Sequence, residues 1–507
     1  MPQGVLPFKY EIERETTGLT AFAGLPAYLE LAHVLGMAEA ADQHLVVRRD
    51  GQGWTSGQVL NSLLLLNLAG GDRVEDMQRL EADDGLRRIL EACLTHGLPR
   101  RERRALHRRW RKERKRATPA PSSVFRFLEA FHKTEWDDKQ VQGKAWIPTD
   151  FGALNGFSDI ASDMLSFVQR INPKKTATLD MDATLIETHK RTALYCYDGY
   201  KAYQPLNVWW AEQEMFVHTE FRAGNVPAGF EQLRVLERSL ELLPEGVERV
   251  RVRSDTAGYQ HNLMRFCETG KSSRFERIEF AISCPVDASF KRSVAATPAS
   301  SWKPLHRIVD GHRIETGKEW AEIVHVTDGP GTSKDSPIYR YLATRERLEE
   351  QASLPGMEKE QIYPFPTQEL SEGKYKVFGV VSNMDWAGED LLRWLYERCG
   401  KSEQAHAVVK NDLAGGTMPS GKFGANAAWW WVSVLACNLN SVMTHVVMGG
   451  EWTMKKMKAI RFNIINVAGR VLHRARQWFI RLSANHPAMG LLLQIRRRLV
   501  ELAPSPA

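Results

Sequence analysis

Cysteine is scarce in this chain. Six thiols, Cys93, Cys196, Cys267, Cys284, Cys399 and Cys437, are scattered over 507 residues with no close pair among them. That spacing argues against a disulfide framework and against a structural zinc site. Long apolar runs are also lacking: none is read as approaching the ~20 residues that cross a bilayer. The opening MPQGVLPFKYEIERE lacks the apolar stretch of a secretion signal. The expectation is a cytoplasmic protein with reduced cysteines, no membrane contact and no organic cofactor. Acidic residues are sparse in two places. Arg100–Arg116 carries eleven Lys or Arg against two Glu, and 454–500 carries eleven with no Asp or Glu. The whole chain is only +7, so the remainder is net acidic. Cationic flanks suit a polyanion. An acidic centre beside a polyanion is most simply explained by divalent metals bridging carboxylates to phosphates.

Residues 1–150 are expected to form a helical, DNA-binding region. TAFAGLPAYLELAHVLGMAEAADQHL and SGQVLNSLLLLNLAGG place apolar residues at helical intervals. The basic stretch that follows offers Arg103, Arg104, Arg108, Arg109 and Arg111 as phosphate contacts, with a solvated linker as the alternative. In TPAPSSVFRFLEAF, Ser122 or Ser123 is the expected cap of a helix that carries Arg126. From 170 to 290 the pattern changes to strands. TATLDMDATLI alternates, LNVWWA and EMFVHTEF read as a hairpin, and ERVRVRSD and RIEFAISCPV as further strands with helices between. The order β-β-β-α-β-α-β predicts an α/β fold with a mixed sheet whose first and fourth strands run parallel and adjacent. Residues 291–376 read as a β-rich insertion, and 377–445 as the rest of the core, with Trp429, Trp430 and Trp431 buried. Residues 446–507 form a basic C-terminal region, a helix or strand pair laid along nucleic acid, with Lys455, Lys456, Arg470 and Arg474 as contacts.

The stretch from Asp385 to Lys410 is the chemical centre of this reading. Its apolar residues recur at helical spacing, Asp385 is the expected N-cap, and Glu389 and Asp390 suit the positive end of the helix dipole. Tyr396, Glu403 and Lys410 fall seven apart and share a face. Adjacent parallel strands would bring Asp182 and Asp255 to one sheet edge, where open α/β sheets place their sites. With Glu403 they form three carboxylates able to hold two Mg²⁺ ions about 4 Å apart. Asp180 shares a strand face with Asp182 and is the alternative first ligand. His189, His218 and His406 each read as surface or satisfied core histidines.

The motifs LDMDAT, VRSDTAGY and Tyr396-x2-Cys399-x3-Glu403-x6-Lys410 resemble those of the DDE transposases of bacterial insertion sequences. Within these the chain is most similar to the group with a Tyr-Arg-Glu-Lys signature, the insertion sequence 1380 group. AGNVPAG and APSSVFRFLE fit that group too. The resemblance implies a ribonuclease H-like core with a β-rich insertion before the glutamate helix. It implies Asp182, Asp255 and Glu403 as catalytic ligands of Mg²⁺, with Mn²⁺ able to substitute, and favours Asp182 over Asp180. Tyr396 and Lys410 would contact DNA phosphates. Cys399 holds the signature arginine's place, with Arg398 beside it. The implied activity is cut-and-paste cleavage at terminal inverted repeats and transfer of 3′-hydroxyl ends into target DNA, with a hairpin intermediate in related families. The implied setting is a homodimer on double-stranded DNA in a bacterial cytoplasm, at the nucleoid. A metal-dependent nuclease without strand transfer, or a DNA-binding protein without catalysis, are the alternatives.

Overall fold

The computed structural model describes residues 17–47, 53–112, 116–270, 272, 274–325, 337–348 and 363–503. At its centre is a ten-stranded sheet. Its main strands are β1 (Thr176–Ala183), β2 (Leu206–Trp210), β3 (Met215–Glu220), β4 (Arg249–Ser254), β5 (Glu279–Cys284), β6 (Lys303–Val309), β7 (His312–Ile323), β8 (Arg340–Arg347) and β9 (Gly373–Ser382). They lie in the order β6-β7-β8-β9-β5-β4-β1-β2-β3, and the short strand Thr367–Leu370 pairs with β9.

The β3-β2-β1-β4-β5 half is the ribonuclease H-like arrangement. β1, β2 and β3 are antiparallel neighbours. Helix α1 (Gln232–Leu242) then crosses to β4, which runs parallel to β1, and α2 (His261–Thr269) crosses to β5, parallel to β4. Every residue of β2 and β3 is buried, which explains why these strands read as near-continuous apolar runs instead of alternating. The β-rich stretch after β5 does not form a separate layer. β9 pairs antiparallel with β5, and β8, β7 and β6 continue from it, so one hydrogen-bonded sheet joins both halves.

Helix α3 (Gly388–Ala407) follows β9 and ends in a wider π turn, Val408–Asp412. Its apolar stripe, Leu391, Leu392 and Leu395, is buried against Leu342 and Val380 of β8 and β9. The N-cap is Ala387 and not Asp385, and it makes no side-chain bond. The turn before the helix is held instead by Arg340, whose guanidinium donates to the carbonyls of Met384 and Trp386. Glu389 does more than face the dipole: it accepts from the His306 amide and pairs with Arg313. The expected serine cap near Pro121 is also absent. Ala120 caps Pro121–Glu129 without a side-chain bond, proline supplies the preorganised first turn, and Ser123 accepts from Arg126.

Helix α4 (Phe423–Val442) corrects the reading of apolar length. Phe423–Met448 spans 26 residues and contains an 18-residue window of mean hydropathy 1.3, long and apolar enough to cross a membrane. It is instead a core helix, 83% buried over its most apolar window. The polar residues that break its apolar run in the sequence are satisfied inside the protein. Asn438 bonds both the amide and the carbonyl of Phe216, and Asn67 donates to Ser433. Trp429, Trp430 and Trp431 are buried as expected, and Trp430 donates its indole N–H to Thr219 on β3.

Around α4 pack the N-terminal helix Ser56–Ala69, Pro121–Glu129 and the long helix Asn155–Ile171. The main apolar core draws on residues from Leu25 to Leu499, beside the smaller cluster under α3. The C-terminal basic region includes a strand pair, Gly469–Arg474 and Gln477–Arg481, joined edge-on to Leu19–Thr20. Arg461 anchors the approach to it, donating to the carbonyls of Asn67, Leu68 and Asp412.

Candidate active site

Parallel pairing of β1 and β4 sets Asp180 opposite Arg253 and Met181 opposite Ser254. The next residue on each strand, Asp182 and Asp255, therefore leaves the sheet side by side from positions 73 residues apart in sequence. Asp255 opens the short turn Thr256–Gly258 and accepts the Ala257 amide at 3.0 Å. Helix α3 lies across this edge and brings Glu403 to a cleft of about 360 Å³, lined also by Asp182, Thr184, His406, Lys410 and Asn411.

Asp180 and Asp182 are distinguished by their partners. Asp180 is fully buried in a two-pronged pair with Arg253, at 2.5 and 2.8 Å. Arg253 also donates to the Trp394 carbonyl at 2.5 Å, so the pair fastens α3 to the strands. Asp182 borders the open cleft, and its carboxyl is pushed up to about 7. Burial is the main cause, Arg398 opposes it, and the charges of Asp255 and Glu403 add to it.

Arg398 reaches this site although it is offset around the helix from the signature position. Its Nη1 is 3.4 Å from Asp182 and the side chain is buried. The side chain of Cys399 lies outside the described residues. His406, discounted in the sequence, is buried with Nδ1 3.7 Å from Asp182 and its ring stacked on Phe216. Burial, with Lys410 and Arg398 nearby, holds it neutral, with its pKa lowered to about 3. Lys410 donates to the Leu185 carbonyl at 2.9 Å and to Thr184, and burial lowers its pKa. Tyr396 does not line the cleft; it packs on Phe378 with its hydroxyl 3.3 Å from that of Thr344.

The basic candidates lie elsewhere. Arg103, Arg104 and Arg108 are exposed on the helix Arg100–Lys112, whereas the side chains of Arg109 and Arg111 are outside the described residues. Arg126, Lys455, Lys456, Arg470 and Arg474 are exposed. His189 is exposed, and His218 is a satisfied core histidine bonded to Ser158.

The donor set is that of a hard divalent cation: carboxylate oxygens beside an open, polar cleft. His406 Nε2 is buried without a hydrogen-bond partner among the described residues, and Arg398 Nη1 has the ion pair with Asp182 but no hydrogen bond. Among the described residues, no three His, Cys, Asp or Glu side chains converge tightly enough to enclose an ion as they stand. Donor chemistry and charge fit a divalent metal, although the ligand sphere is not closed.

A ribonuclease H-like sheet with aspartates at the ends of β1 and β4 and a glutamate on the following helix defines the class of DDE enzymes acting on nucleic acid. The chain belongs to the family "Transposase DDE domain group 1", which matches residues 8–307 and 367–504. No curated protein matches it. Among solved structures it is similar to one described as "Cryo-EM structure of piggyBac transposase synaptic complex with hairpin DNA (SNHP)". The similarity covers 96% of this chain and 86% of that one, at 8% identity and a TM-score of 0.45.

Proposed function

We propose that this chain is a cut-and-paste transposase of the Tyr-Arg-Glu-Lys group, most like the insertion sequence 1380 elements. The observation that carries this is the meeting of Asp182 and Glu403 at one cleft, with Asp255 beside Asp182 on the neighbouring strand end. Asp182, Asp255 and Glu403 would hold two Mg²⁺ ions, or Mn²⁺, which when bound supply Lewis acidity to both oxygens of a scissile phosphodiester. Lys410, fixed by Thr184 and Leu185, lies where a phosphate entering the cleft meets a positioned ammonium. Arg398 takes the place of the signature arginine, drawn against Asp182 until a DNA phosphate competes for its guanidinium. Tyr396 would meet the backbone further along the same helix.

In this reading, hydrolysis at each transposon end frees a 3′-hydroxyl, which attacks the opposite strand to form a hairpin on the end. Water then opens the hairpin and restores the 3′-hydroxyl, which attacks a target phosphate and joins the end to target DNA. The helical region 1–150 and the basic region 446–507 bind terminal inverted repeats. The core is divided between 170–290 and 377–445, with 291–376 inserted, and two copies hold the paired ends. The setting is the bacterial cytoplasm at the nucleoid.

A strand-transfer assay with pre-cleaved end DNA, target plasmid and Mg²⁺ tests this. Joined products are expected, and Glu403→Ala should abolish them. Cleavage without joining would indicate a nuclease, and neither reaction a DNA-binding protein on the same fold.

A further inference from the structure

The pair Gly469–Arg474 and Gln477–Arg481 is a two-stranded ribbon, and every residue from His473 to Phe479 is exposed. Arg470 faces Arg481 across it, Leu472 faces Phe479, and Arg474 faces Gln477. Alternation sets these six on one face. The Arg474 guanidinium lies 5.6 Å from the centre of the Phe479 ring, and on the other face the His473 ring packs tilted against Trp478 with centroids 4.5 Å apart. Among the described residues none of Arg470, Arg474, Arg476 and Arg481 has an ion-pair partner, and no acid occurs from 454 to 500.

The tip adds a second observation. Ala475 and Arg476 form the two-residue turn with φ of 46° and 62°. Turns with both central residues left-handed are ordinarily built from Asn-Gly or Gly-Gly, because other side chains resist that conformation. Here the tip instead carries an arginine in a strained backbone. Strain held at an exposed, cationic tip is a sign of function.

We infer that this ribbon enters the major groove of duplex DNA, its arginines on the flanking phosphates. A two-stranded ribbon with its side chains is wider than the minor groove of about 6 Å and is admitted by the major groove of about 12 Å. Phe479 holds the Arg474 guanidinium in position, and Arg476 leads at the tip. Arg461 roots the segment on the carbonyl of Asp412, two residues beyond Lys410, so the ribbon and the cleft share one base. The inference rests on the proposed DNA-transposing role but concerns a surface outside the cleft.

The test is binding of the full chain to a mixed-sequence blunt duplex over a range of salt, with no divalent ion present. Each lost phosphate contact flattens the slope of log K against log salt by about 0.9. Arg474→Ala with Arg476→Ala should flatten it by about 1.8, and Arg474→Lys with Arg476→Lys should restore most of it. Restoration by lysine separates lost charge from misfolding. An unchanged slope in the alanine pair, with the parent binding well, overturns the ribbon inference and leaves the transposase reading standing. A slope that changes only on single-stranded DNA overturns the major-groove assignment. A parent that binds no duplex defeats the underlying reading itself.

Discussion

Replacing Asp180 tests which aspartate belongs to the chemistry. Asp180 is fully buried and Arg253 is 2% exposed, so Asp180→Asn leaves a guanidinium buried without its counter-charge. Breaking such a pair costs about 3–5 kcal/mol, whereas replacing both members with apolar groups of similar volume is often neutral. Asp180→Asn and Arg253→Met should each destabilise by that amount. Asp180→Leu combined with Arg253→Met should return to within about 1–2 kcal/mol of the parent. Urea unfolding of the parent and the three variants measures these differences directly. Cleavage of end DNA should follow stability. The double variant loses the bond to the Trp394 carbonyl, and a shift of α3 by about 1 Å would cost on the order of 10²-fold. Activity should nevertheless survive in it. A folded, stable double variant with no cleavage at all would show that Asp180 is itself a ligand and would refute this assignment.

Glu403→Gln and Asp182→Asn should each remove Mg²⁺-dependent cleavage while leaving duplex binding and thermal stability near the parent's; a variant that still cleaves at the parental rate removes that residue from the site. His445 and Glu214 form an ion pair at 2.9 Å. The hydrogen bond from His445, partly offset by burial, lowers Glu214 from 4.5 to about 2, and although burial opposes charge on His445, Glu214 raises it above 6.5. The Glu214 contribution is present above pH 4.5 and lost as pH falls toward 2. The His445 contribution is full below pH 6.5 and lost as pH rises through its folded value. The stability gap between the parent and His445→Gln should therefore be widest between about pH 4.5 and 6.5, and a gap that stays flat with pH would contradict the pairing. Gly424→Ala would place a methyl 2.4 Å from the Phe131 carbonyl oxygen and 2.5 Å from His132 Cα. The expected loss is about 1–3 kcal/mol in urea unfolding, and an unchanged midpoint would show that the backbone yields freely.

Much of this fold was legible because its strands repeat every two residues and its helices every 3.6. TATLDMDATLI and VRVRS alternate, and the strand order alone put Asp182 beside Asp255. The placement of Glu403 followed from a helical period unbroken from Leu391 to Val409. What stayed hidden depends on partners far away in sequence. Arg253 looked like one of several alternating strand arginines until register set it against Asp180. A lone histidine carries no sign of its surroundings, so His406 was discounted. The helix Asn155–Ile171 was passed over between clearer segments, although its buried positions recur at helical spacing. Caps were misplaced because Arg340, from a distant strand, holds the chain before α3, and because Pro121 preorganises the first turn of its helix where a serine cap was expected.

Helix α4 touches the N-terminal helices on one side and β3 on the other, and polar groups from both sides complete its hydrogen bonds. Neither half of the chain can therefore bury it alone. A fragment ending near residue 150, or one beginning there, would expose a matching apolar surface and be prone to aggregate. Supplied together, the two fragments should find each other and reassemble, as a split protein does. The N-terminal helices and the catalytic sheet would then be inherited as a single folding unit, and a variant exchanging one without the other would need to exchange this helix as well.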